Sequence, residues 1–337
     1  MNSLERIAAT VQFRNADRVP VIAQVFAHAA KLAGVRVDDY VRDGETLARC
    51  QLSALKQYGY DAVFSVMDVN VETEALGSVL KYRQDRYPVV EQYALSGTSD
   101  FSALEIPDCR RAGRCGEMLK ALCTLRSELG NEVLVVGCVM GPFTLATQLL
   151  GMEAALYLAI DAPSRLECLM DFAAEVVVRF GQAQLEAGAH LVLVFDPSAS
   201  PAVVPPQFFR EFELPRLRRV FQALAGSGAL ASWLHVAGPS SAILPYYPAA
   251  GADLACFDYC VAAAKARDRL PTTCLTGNIK PMTFVEGSPA DIEAEGRTLL
   301  GGFIDRGGFI LSSGCEIPPE SAPENVAALV KAAREDR

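Results

Sequence analysis

The sequence predicts an α/β protein that folds as a (β/α)8 (TIM) barrel, and two features of its hydrophobic pattern indicate this. Short apolar runs recur along the 337 residues, and stretches of helical length separate them. The runs are continuously apolar rather than alternating, as in parallel strands that are buried on both faces. A doubly wound sheet is the alternative fold, but no GxGxxG motif follows the first run.

Eight strands are predicted, each from an apolar run that ends in polar or turn-forming residues. In chain order the runs are VPVIAQV (19–25), DAVFSVM (61–67), VLVVGCV (133–139), LVLVFDP (191–197), LASWLHV (230–236), LACFDY (254–259), TCLTGN (273–278) and GFILSSG (308–314). The intervening stretches are amphipathic, and the longest helix is expected over residues 163–188, with Gly188 as its stop signal.

The interval between the second and third predicted strands is long, at about 65 residues. It contains residues 77–95, whose pattern is typical of a β-hairpin, and then a polar loop and a helical stretch. We expect residues 69–132 to form an insertion or lid on the upper face of the barrel. No repeat, low-complexity tract or long linker interrupts the chain, so residues 1–337 are predicted to form a single domain.

Charge and hydropathy exclude several classes of partner. The net charge of −9 argues against nucleic acid or an anionic membrane as the main partner. No apolar run approaches the roughly 20 residues of a membrane span. The N-terminal residues are mixed in charge rather than typical of a signal peptide, so we expect a cytoplasmic protein. The ten cysteines contain no CxxC motif and are expected to be reduced.

Polar residues stand where the predicted strands end. In a parallel barrel the carboxyl ends of the strands form one face, and chemistry takes place on that face. A turn cap or a solvated loop is the alternative for each of these residues, as for Asp196 ahead of Ser198. We predict catalytic roles for Asp68, Asp196 and Asn278, and cofactor-binding roles for Gly141, Ser198 and Asp258.

His235 and Cys315 are the candidate metal ligands. His235 ends the fifth predicted strand, and Cys315 follows the eighth, in GCEIPP. Imidazole and thiolate are good zinc ligands, but a catalytic zinc usually has three protein ligands and one open position. A structural thiol is the alternative for Cys315. His28 is expected on the surface or rim of the barrel.

Seven segments together resemble the uroporphyrinogen decarboxylase superfamily, along nearly the whole chain. They are DRVPVIAQVFAHAAKLAG, YGYDAVFSVMDVNVETEALG, VMGPFTLATQLLG, AGAHLVLVFDPSASP, WLHVAGPSSAIL, LTGNIKP and LSSGCEIPPESAPENV. The branch of cobamide-dependent methyltransferases is the most similar. The resemblance implies a (β/α)8 barrel, a corrinoid (methylcobamide) as substrate or on a partner corrinoid protein, and a small-molecule methyl donor or acceptor such as a thiol or methyl ether.

The first strand departs from the decarboxylases of this superfamily. Those enzymes carry an arginine-rich motif there, whose arginines pair with the carboxylates of the substrate. In this chain no arginine occurs between Arg18 and Arg36. The resemblance therefore favours methyl transfer. A decarboxylase of a tetrapyrrole or small acid, and a non-catalytic corrinoid-binding barrel, are the alternatives.

The metal site of the methyltransferase branch is only partly matched. In that branch the resemblance implies a zinc held by His-x-Cys after the fifth strand and by the cysteine of Gly-Cys-x-Ile-Pro, which activates a thiol. His235 and Cys315 match, but Ala237 replaces the second cysteine. Glu72 is predicted as the third ligand. Asp196, Glu74 and Glu316 are further candidates, and a weakly held or absent metal or an acceptor other than a simple thiol are alternatives.

Overall fold

The computed structural model describes residues 1–98, 101 and 104–334. Positions 99, 100, 102 and 103 of the predicted insertion, and the last three of the predicted domain, lie outside the described residues. The predicted (β/α)8 architecture is confirmed, with eight parallel strands in one sheet and helices around it. The strands in the described residues are β1 (Val21–Ile22), β2 (Ala62–Phe64), β3 (Val79–Arg83), β4 (Arg86–Gln92), β5 (Leu134–Met140), β6 (Leu191–Phe195), β7 (Ser232–His235), β8 (Leu254–Cys256), β9 (Cys274–Ile279) and β10 (Phe309–Ser313).

The helices fill the intervals between the strands, as the amphipathic stretches predict. They are α1 (Ser3–Val11), α2 (Ala27–Leu32), α3 (Val37–Tyr40), α4 (Gly44–Tyr58), α5 (Val71–Ala75), α6 (Cys115–Leu129), α7 (Pro142–Leu150), α8 (Met152–Asp161), α9 (Pro163–Glu186), α10 (Pro206–Phe208), α11 (Leu214–Gly226), α12 (Tyr247–Ala250), α13 (Ala263–Arg269), α14 (Thr283–Glu286), α15 (Pro289–Phe303) and α16 (Pro323–Ala332). Short 3-10 turns lie at Pro197–Ala199, Ser240–Ala242 and Leu244–Tyr246, and a π-helical turn at Phe209–Glu213.

Local sequence signals set where the longer helices begin and end. Asn2 and Glu5 form a reciprocal capping box at the start of α1. Helix α4 ends at Gly59, whose φ of 71° is the left-handed conformation that glycine adopts without a steric penalty. Helix α9 begins with Pro163, whose missing N–H costs nothing in the first turn.

The barrel strands run in the order β1-β10-β9-β8-β7-β6-β5-β2, so each strand lies beside its neighbour in sequence. Register places Phe195 of β6, His235 of β7 and Cys256 of β8 side by side at the carboxyl ends. The first strand is shorter than the predicted run, because the chain turns at once after β1, where the N–H of Val25 donates to the carbonyl of Ala23.

Asp61 closes the barrel at the amino end of β2. Its N–H donates to the carbonyl of Val21 at 2.8 Å, and its carboxylate accepts from the N–H of Val21 at 2.8 Å. The same buried carboxylate accepts from Arg6 at 2.8 Å, from Arg18 at 2.8 Å and from Ser3 at 2.7 Å. One side chain therefore joins the first two barrel strands to the N-terminal helix.

The predicted hairpin is present as the antiparallel pair β3–β4, between β2 and β5. Arg114, directly ahead of α6, fastens this excursion to the barrel. Its buried guanidinium pairs with Asp68 and Glu74 and donates to the carbonyl of Val41 at 3.0 Å. A role of residues 69–132 as a lid stays a prediction.

Hydropathy gives a single candidate for a membrane segment within the described ranges. No individual helix there is long and apolar enough to cross a bilayer, and only α7 and α8 together, bent by 108°, reach that length and composition.

Replacing Asp61 with Ala removes the carboxylate partner of Arg18 at the barrel closure and leaves Arg6 paired with Asp17 alone. We expect Asp61→Ala to lower the free energy of unfolding by about 3–5 kcal/mol, the usual effect of breaking a buried ion pair. Urea unfolding followed by circular dichroism measures this. As a control, Arg297→Ala removes an exposed helix ion pair with Glu293 and should change stability little. Equal effects of the two variants would contradict this role of Asp61.

Candidate functional site

A cavity of about 170 Å³ opens at the carboxyl ends of the barrel strands. Its polar lining residues come from separate parts of the chain and are Asp68, Tyr87, His235, Cys315 and Glu316. The rest is mainly apolar and includes Phe26, Val66, Val69, Met140, Phe195 and Ala237. His235 and Cys315, predicted to meet across the mouth, thus line the same cavity.

His235 is the most deeply buried polar group of this cavity. Its side chain is 1% exposed, and neither ring nitrogen has a hydrogen-bond partner among the described residues. The ring of Phe195 packs against it at 4.7 Å between centroids. Burial lowers the pKa of His235 to about 4, although the charge of Asp258 opposes this shift. The imidazole is therefore neutral at pH 7 and offers one donor and one acceptor to a ligand.

Cys315 lines the same cavity as an unactivated thiol. Its side chain is half-buried, and burial raises its pKa to about 11. A reactive cysteine needs a nearby cation or metal that stabilises the thiolate, and neither Lys nor Arg is among the residues that line the cavity. At neutral pH Cys315 is protonated.

Glu316 and Tyr87 form a hydrogen-bonded pair in the same cavity. The Tyr87 hydroxyl donates to the Glu316 carboxylate at 2.5 Å, and the N–H of Ala27 donates to the same oxygen at 3.4 Å. Burial raises the pKa of Glu316 to about 7, and the bond from Tyr87 opposes that shift. Sequence reasoning missed Tyr87, since nothing in the hairpin's pattern shows that this residue reaches a loop 229 positions away.

The segment that carries Cys315 and Glu316 is fixed on both sides. The N–H of Gly314 donates to the carbonyl of Ile279 at 2.8 Å, and the N–H of Ile317 to the carbonyl of Gln24 at 2.9 Å. Further on, the carbonyl of Pro319 lies 3.3 Å from Nδ1 of His28. The expectation that His28 lies on the surface is wrong, because its ring is buried and its Nε2 contacts Tyr58 at 2.9 Å.

Asp68 lines the cavity, but its carboxylate is already engaged. It forms an ion pair with the buried guanidinium of Arg114 and accepts from the N–H of Asn70 at 2.8 Å. Burial raises the pKa of Asp68, while Arg114 opposes the shift. Asp68 therefore holds the insertion in place at the cavity wall, and its predicted catalytic role stays a prediction.

Asp196, Gly141 and Ser198 meet in a buried network outside the cavity lining. Asp196 accepts from the N–H of Thr144 at 2.9 Å and from its hydroxyl at 2.6 Å, and that hydroxyl also accepts from the N–H of Ser198 at 3.0 Å. A Cβ atom on Gly141 would lie 2.2 Å from the Asp196 carboxylate, so glycine is needed there. The structure brings these predicted residues together behind the wall formed by Phe195, and their predicted catalytic and cofactor-binding roles stay predictions.

Glu213, in the π-helical turn, forms an acid pair with Asp196. Both side chains are fully buried, and one oxygen of Asp196 and both carboxyl oxygens of Glu213 have no hydrogen-bond partner among the described residues. Burial raises the pKa of both groups, and the charge of Asp196 raises that of Glu213 further. The pair therefore retains a proton at pH values where a free carboxyl group is ionised. Glu213 was missed because its helical sequence context carries no sign of a buried acid.

Asp258 and Asn278 join the loops that follow β7 and β8 to each other and to strand β9. Asp258 accepts from the N–H of Gly238 at 2.9 Å and from the N–H of Cys260 at 3.0 Å. The Asn278 amide donates to the carbonyl of Asp258 at 3.1 Å and to that of Val261 at 2.9 Å. These contacts position the loop that carries Ala237. Neither side chain is part of the cavity lining, and their predicted cofactor-binding and catalytic roles stay predictions.

The donor set does not fit a zinc with three protein ligands. His235 and Cys315 offer two donors, and Ala237 offers none. The carboxylate of Glu72, the predicted third ligand, accepts from the N–H of Met140 at 2.9 Å and is not part of the cavity lining. No group of three His, Cys, Asp or Glu side chains in the described part of the chain is placed to hold a metal ion.

Restoring the missing thiol should restore metal affinity. We expect Ala237→Cys to bind zinc at least about 10-fold more tightly than the wild type, since even the loss of a supporting group around a metal costs 10- to 100-fold in affinity. Competition with a chromophoric chelator measures the two affinities. Ala202→Cys adds a thiol at an exposed position and is the control. Equal zinc affinity of the wild type and Ala237→Cys would show that the wild type recruits another third donor.

The acid pair should make stability depend on pH. The folded-state pKa of Glu213 lies above its ordinary value of 4.5, so the unfolded chain loses its proton first and the folded state loses stability as pH rises toward the raised pKa. Glu213→Gln keeps the group neutral at every pH. We expect its unfolding free energy relative to wild type to rise by about 1 kcal/mol or more between pH 5 and pH 8, measured by urea unfolding. Glu211→Gln, an exposed neighbour, should show no such rise.

The sequence is similar, along nearly its whole length, to one protein family and to named members of it. The sequence profile of the uroporphyrinogen decarboxylase (URO-D) family matches residues 2–336. A methylcobamide:CoM methyltransferase of Methanosarcina barkeri is 29% identical over 334 residues, which cover 97% of this chain and 96% of that protein. A uroporphyrinogen decarboxylase of Syntrophotalea carbinolica is 30% identical over 293 residues, with 85% and 82% covered.

A solved structure supports the same placement. The structure of a methyltransferase from Methanosarcina mazei superposes with a TM-score of 0.90 at 28% sequence identity, and 98% of each chain is covered. Sequence profile, relatives and fold therefore agree along the chain, which belongs to the uroporphyrinogen decarboxylase family.

Proposed function

We propose that the chain is a corrinoid-dependent methyltransferase, which moves a methyl group between a corrinoid and a small molecule bound in the mouth cavity. The relatives include both methyltransferases and decarboxylases, so membership of the family does not by itself select the reaction. The observation that favours methyl transfer is the charge of the cavity. Its lining includes the carboxyl groups of Asp68 and Glu316 and neither Lys nor Arg.

A decarboxylase that acts on a porphyrinogen has to neutralise several substrate carboxylates. The arginines around the first strand of this chain lie elsewhere. Arg18 pairs with Asp61 at the amino end of the barrel, and Arg36 pairs with Asp39 on the surface. The guanidinium of Arg114 is taken up by Asp68 and Glu74. A polycarboxylate would therefore bring unpaired negative charge into a site that already holds acids.

The size of the cavity defines how a corrinoid would approach. A corrin macrocycle is much larger than 170 Å³, so the methyl group faces the cavity while the macrocycle stays outside, carried by a partner protein. For transfer of the methyl group to the corrinoid, Co(I) would supply the electron pair of the new bond to the methyl carbon. The bond from that carbon to the donor atom breaks with its pair left on the donor atom, which takes up one proton. Transfer to an acceptor is the reverse.

The cavity residues position the small molecule, exclude water and exchange a proton. The apolar wall around Phe26 and Phe195 keeps water from the reacting methyl group. His235 offers a neutral donor and acceptor to the small molecule. The pKa of Glu316 is about 7, so its carboxyl group can hold or release a proton near neutral pH. Zinc assistance, which the resemblance implies, stays a prediction because the donors found do not complete its site.

Exchange of a methyl group with free cobalamin tests the proposal. We expect the protein to change the absorbance of methylcobalamin or of Co(I) cobalamin in the presence of a small methyl acceptor or donor. His235→Ala should slow this exchange about 100-fold, because small losses of alignment have effects of that order. Cys123→Ser, an exposed thiol on α6, is the control and should leave the rate unchanged.

Two outcomes would contradict the proposal. Release of carbon dioxide from uroporphyrinogen without methyl exchange would establish a decarboxylase. Tight binding of cobalamin, with no exchange for any donor or acceptor in a broad panel, would indicate a non-catalytic corrinoid-binding barrel.

A further inference from the structure

We propose that the hairpin β3–β4 is a movable lid on the mouth cavity, which swings about a fixed base at Ser78 and Ala94 and is held closed by Tyr87. The inference does not rest on methyl transfer, because it concerns the access of any small molecule to the cavity. The composition of the cavity wall, the packing of the hairpin and the contrast between its base and its tip lead to it.

Part of the cavity wall belongs to the hairpin. Tyr87 of β4 lines the cavity together with Glu316. On the barrel side Phe26, Met140 and His235 line the same cavity, and each of them is at most 3% exposed. A small molecule outside the protein therefore has little access to these side chains in the closed arrangement. Movement of Tyr87 away from Glu316 would open the wall.

The hairpin has little apolar contact with the rest of the protein. No residue of β3 is buried, and Pro88 is the buried residue of β4. Val79 and Val89 are 47% and 41% exposed. A two-stranded hairpin is marginally stable on its own, and segments that open locally are those with few buried apolar contacts. The hairpin therefore meets the energetic condition for a segment that moves while the barrel stays folded.

The base of the hairpin is fixed to the barrel. Ser78 is buried, its N–H donates to the carbonyl of Thr73 at 3.1 Å, and its hydroxyl accepts from the N–H of Ala94 at 3.0 Å. The N–H of Leu95, which is also buried, donates to the carbonyl of Leu149 at 2.9 Å. Both strands are therefore held at the same end, and movement is confined to the part beyond it.

The backbone next to this base is suited to bending. Gly77 has a φ of 97°, a conformation that residues with a side chain rarely adopt. The pairing of β3 with β4 shifts register between Val79 and Leu80 and again between Lys81 and Arg83. Such irregularities interrupt the ladder of hydrogen bonds and bend the strand. The hairpin can therefore change its angle to the barrel just beyond the base.

Tyr87 fastens the far part of the hairpin. Its hydroxyl donates to the Glu316 carboxylate at 2.5 Å and accepts from the N–H of Ala27 at 3.1 Å. These contacts join the hairpin to the loop after β10 and to the start of α2. A hydrogen bond to a carboxylate is stronger than one between neutral groups. Loss of the Tyr87 hydroxyl should therefore shift the hairpin toward the open arrangement.

The other contacts of the hairpin with the barrel and its helices are polar or involve exposed groups. They include the hydrogen bonds from Asp38 to Gln84 (3.3 Å), from Asn70 to Pro88 (2.9 Å) and from Tyr82 to Glu74 (2.6 Å), the ion pair of Lys31 with Asp85 (3.8 Å) and the guanidinium of Arg42 over the ring of Tyr82 (3.5 Å). Water can replace such partners at a modest net cost in free energy. These contacts therefore permit opening.

Hydrogen–deuterium exchange of single amides tests the lid. The reporter is the N–H of Asp38, whose hydrogen bond goes to Gln84 rather than to Tyr87. We expect Tyr87→Phe to speed exchange at Asp38 and alkylation of Cys315 by iodoacetamide about 10-fold each, because loss of a hydrogen bond to a charged group has an effect of that order. The amides of β5 should keep their rates. Tyr93→Phe, at an exposed tyrosine after β4, is the matched control and should change neither rate.

The location of any change decides the outcome. Faster exchange at Asp38 together with faster alkylation of Cys315, and unchanged rates in β5, supports a lid that moves as one body. Faster exchange at Ala27 alone would show that Tyr87 makes only a local contact, and would overturn the lid. Unchanged rates throughout, or equal acceleration in β5, would overturn it as well. Failure of methyl exchange with cobalamin would contradict the proposed function and leave the lid standing, since these measurements use no corrinoid.

Discussion

Desolvation of polar groups at the barrel mouth is the constraint on which the site depends. His235, Cys315 and Glu316 lie where the strands end, but their burial among apolar side chains disfavours the charged form of each. A low-dielectric environment penalises an unpaired charge far more than it penalises a neutral hydrogen-bonding group. The mouth is therefore suited to neutral groups.

Buried ion pairs stabilise both ends of the barrel. At the amino end, the buried charge of Asp61 is matched by two arginines and closes the sheet. At the carboxyl end, Arg114 is matched by Asp68 and Glu74 and anchors the insertion that brings Tyr87 to the cavity. Behind the cavity wall, the acid pair of Asp196 and Glu213 avoids charge by retaining a proton. The arginines at both ends therefore stabilise the fold, and the lining of the cavity contains neither Lys nor Arg.

The fold was predictable from sequence because continuous apolar runs mark buried parallel strands, and each of the eight runs overlaps a barrel strand. The shared cavity of His235 and Cys315 was also predictable, since each lies at the carboxyl end of a barrel strand. Position at a strand end does not tell which way a side chain points, so the network around Asp196 and the engagement of Glu72 by Met140 could not be foreseen. Tyr87 and Glu213 reach their partners through long-range packing, which leaves no local pattern.

The central claim is that the mouth holds a neutral imidazole in a dry cavity, and a pH titration of the three histidines by ¹⁵N–¹H NMR tests it most directly. The His235 signals are identified by their loss in His235→Gln. The account predicts a neutral ring from pH 8 to pH 5, with protonation only near the lowered pKa of about 4. A midpoint close to the ordinary value of 6.5 would show that water or a charged partner reaches the ring, and would contradict the account.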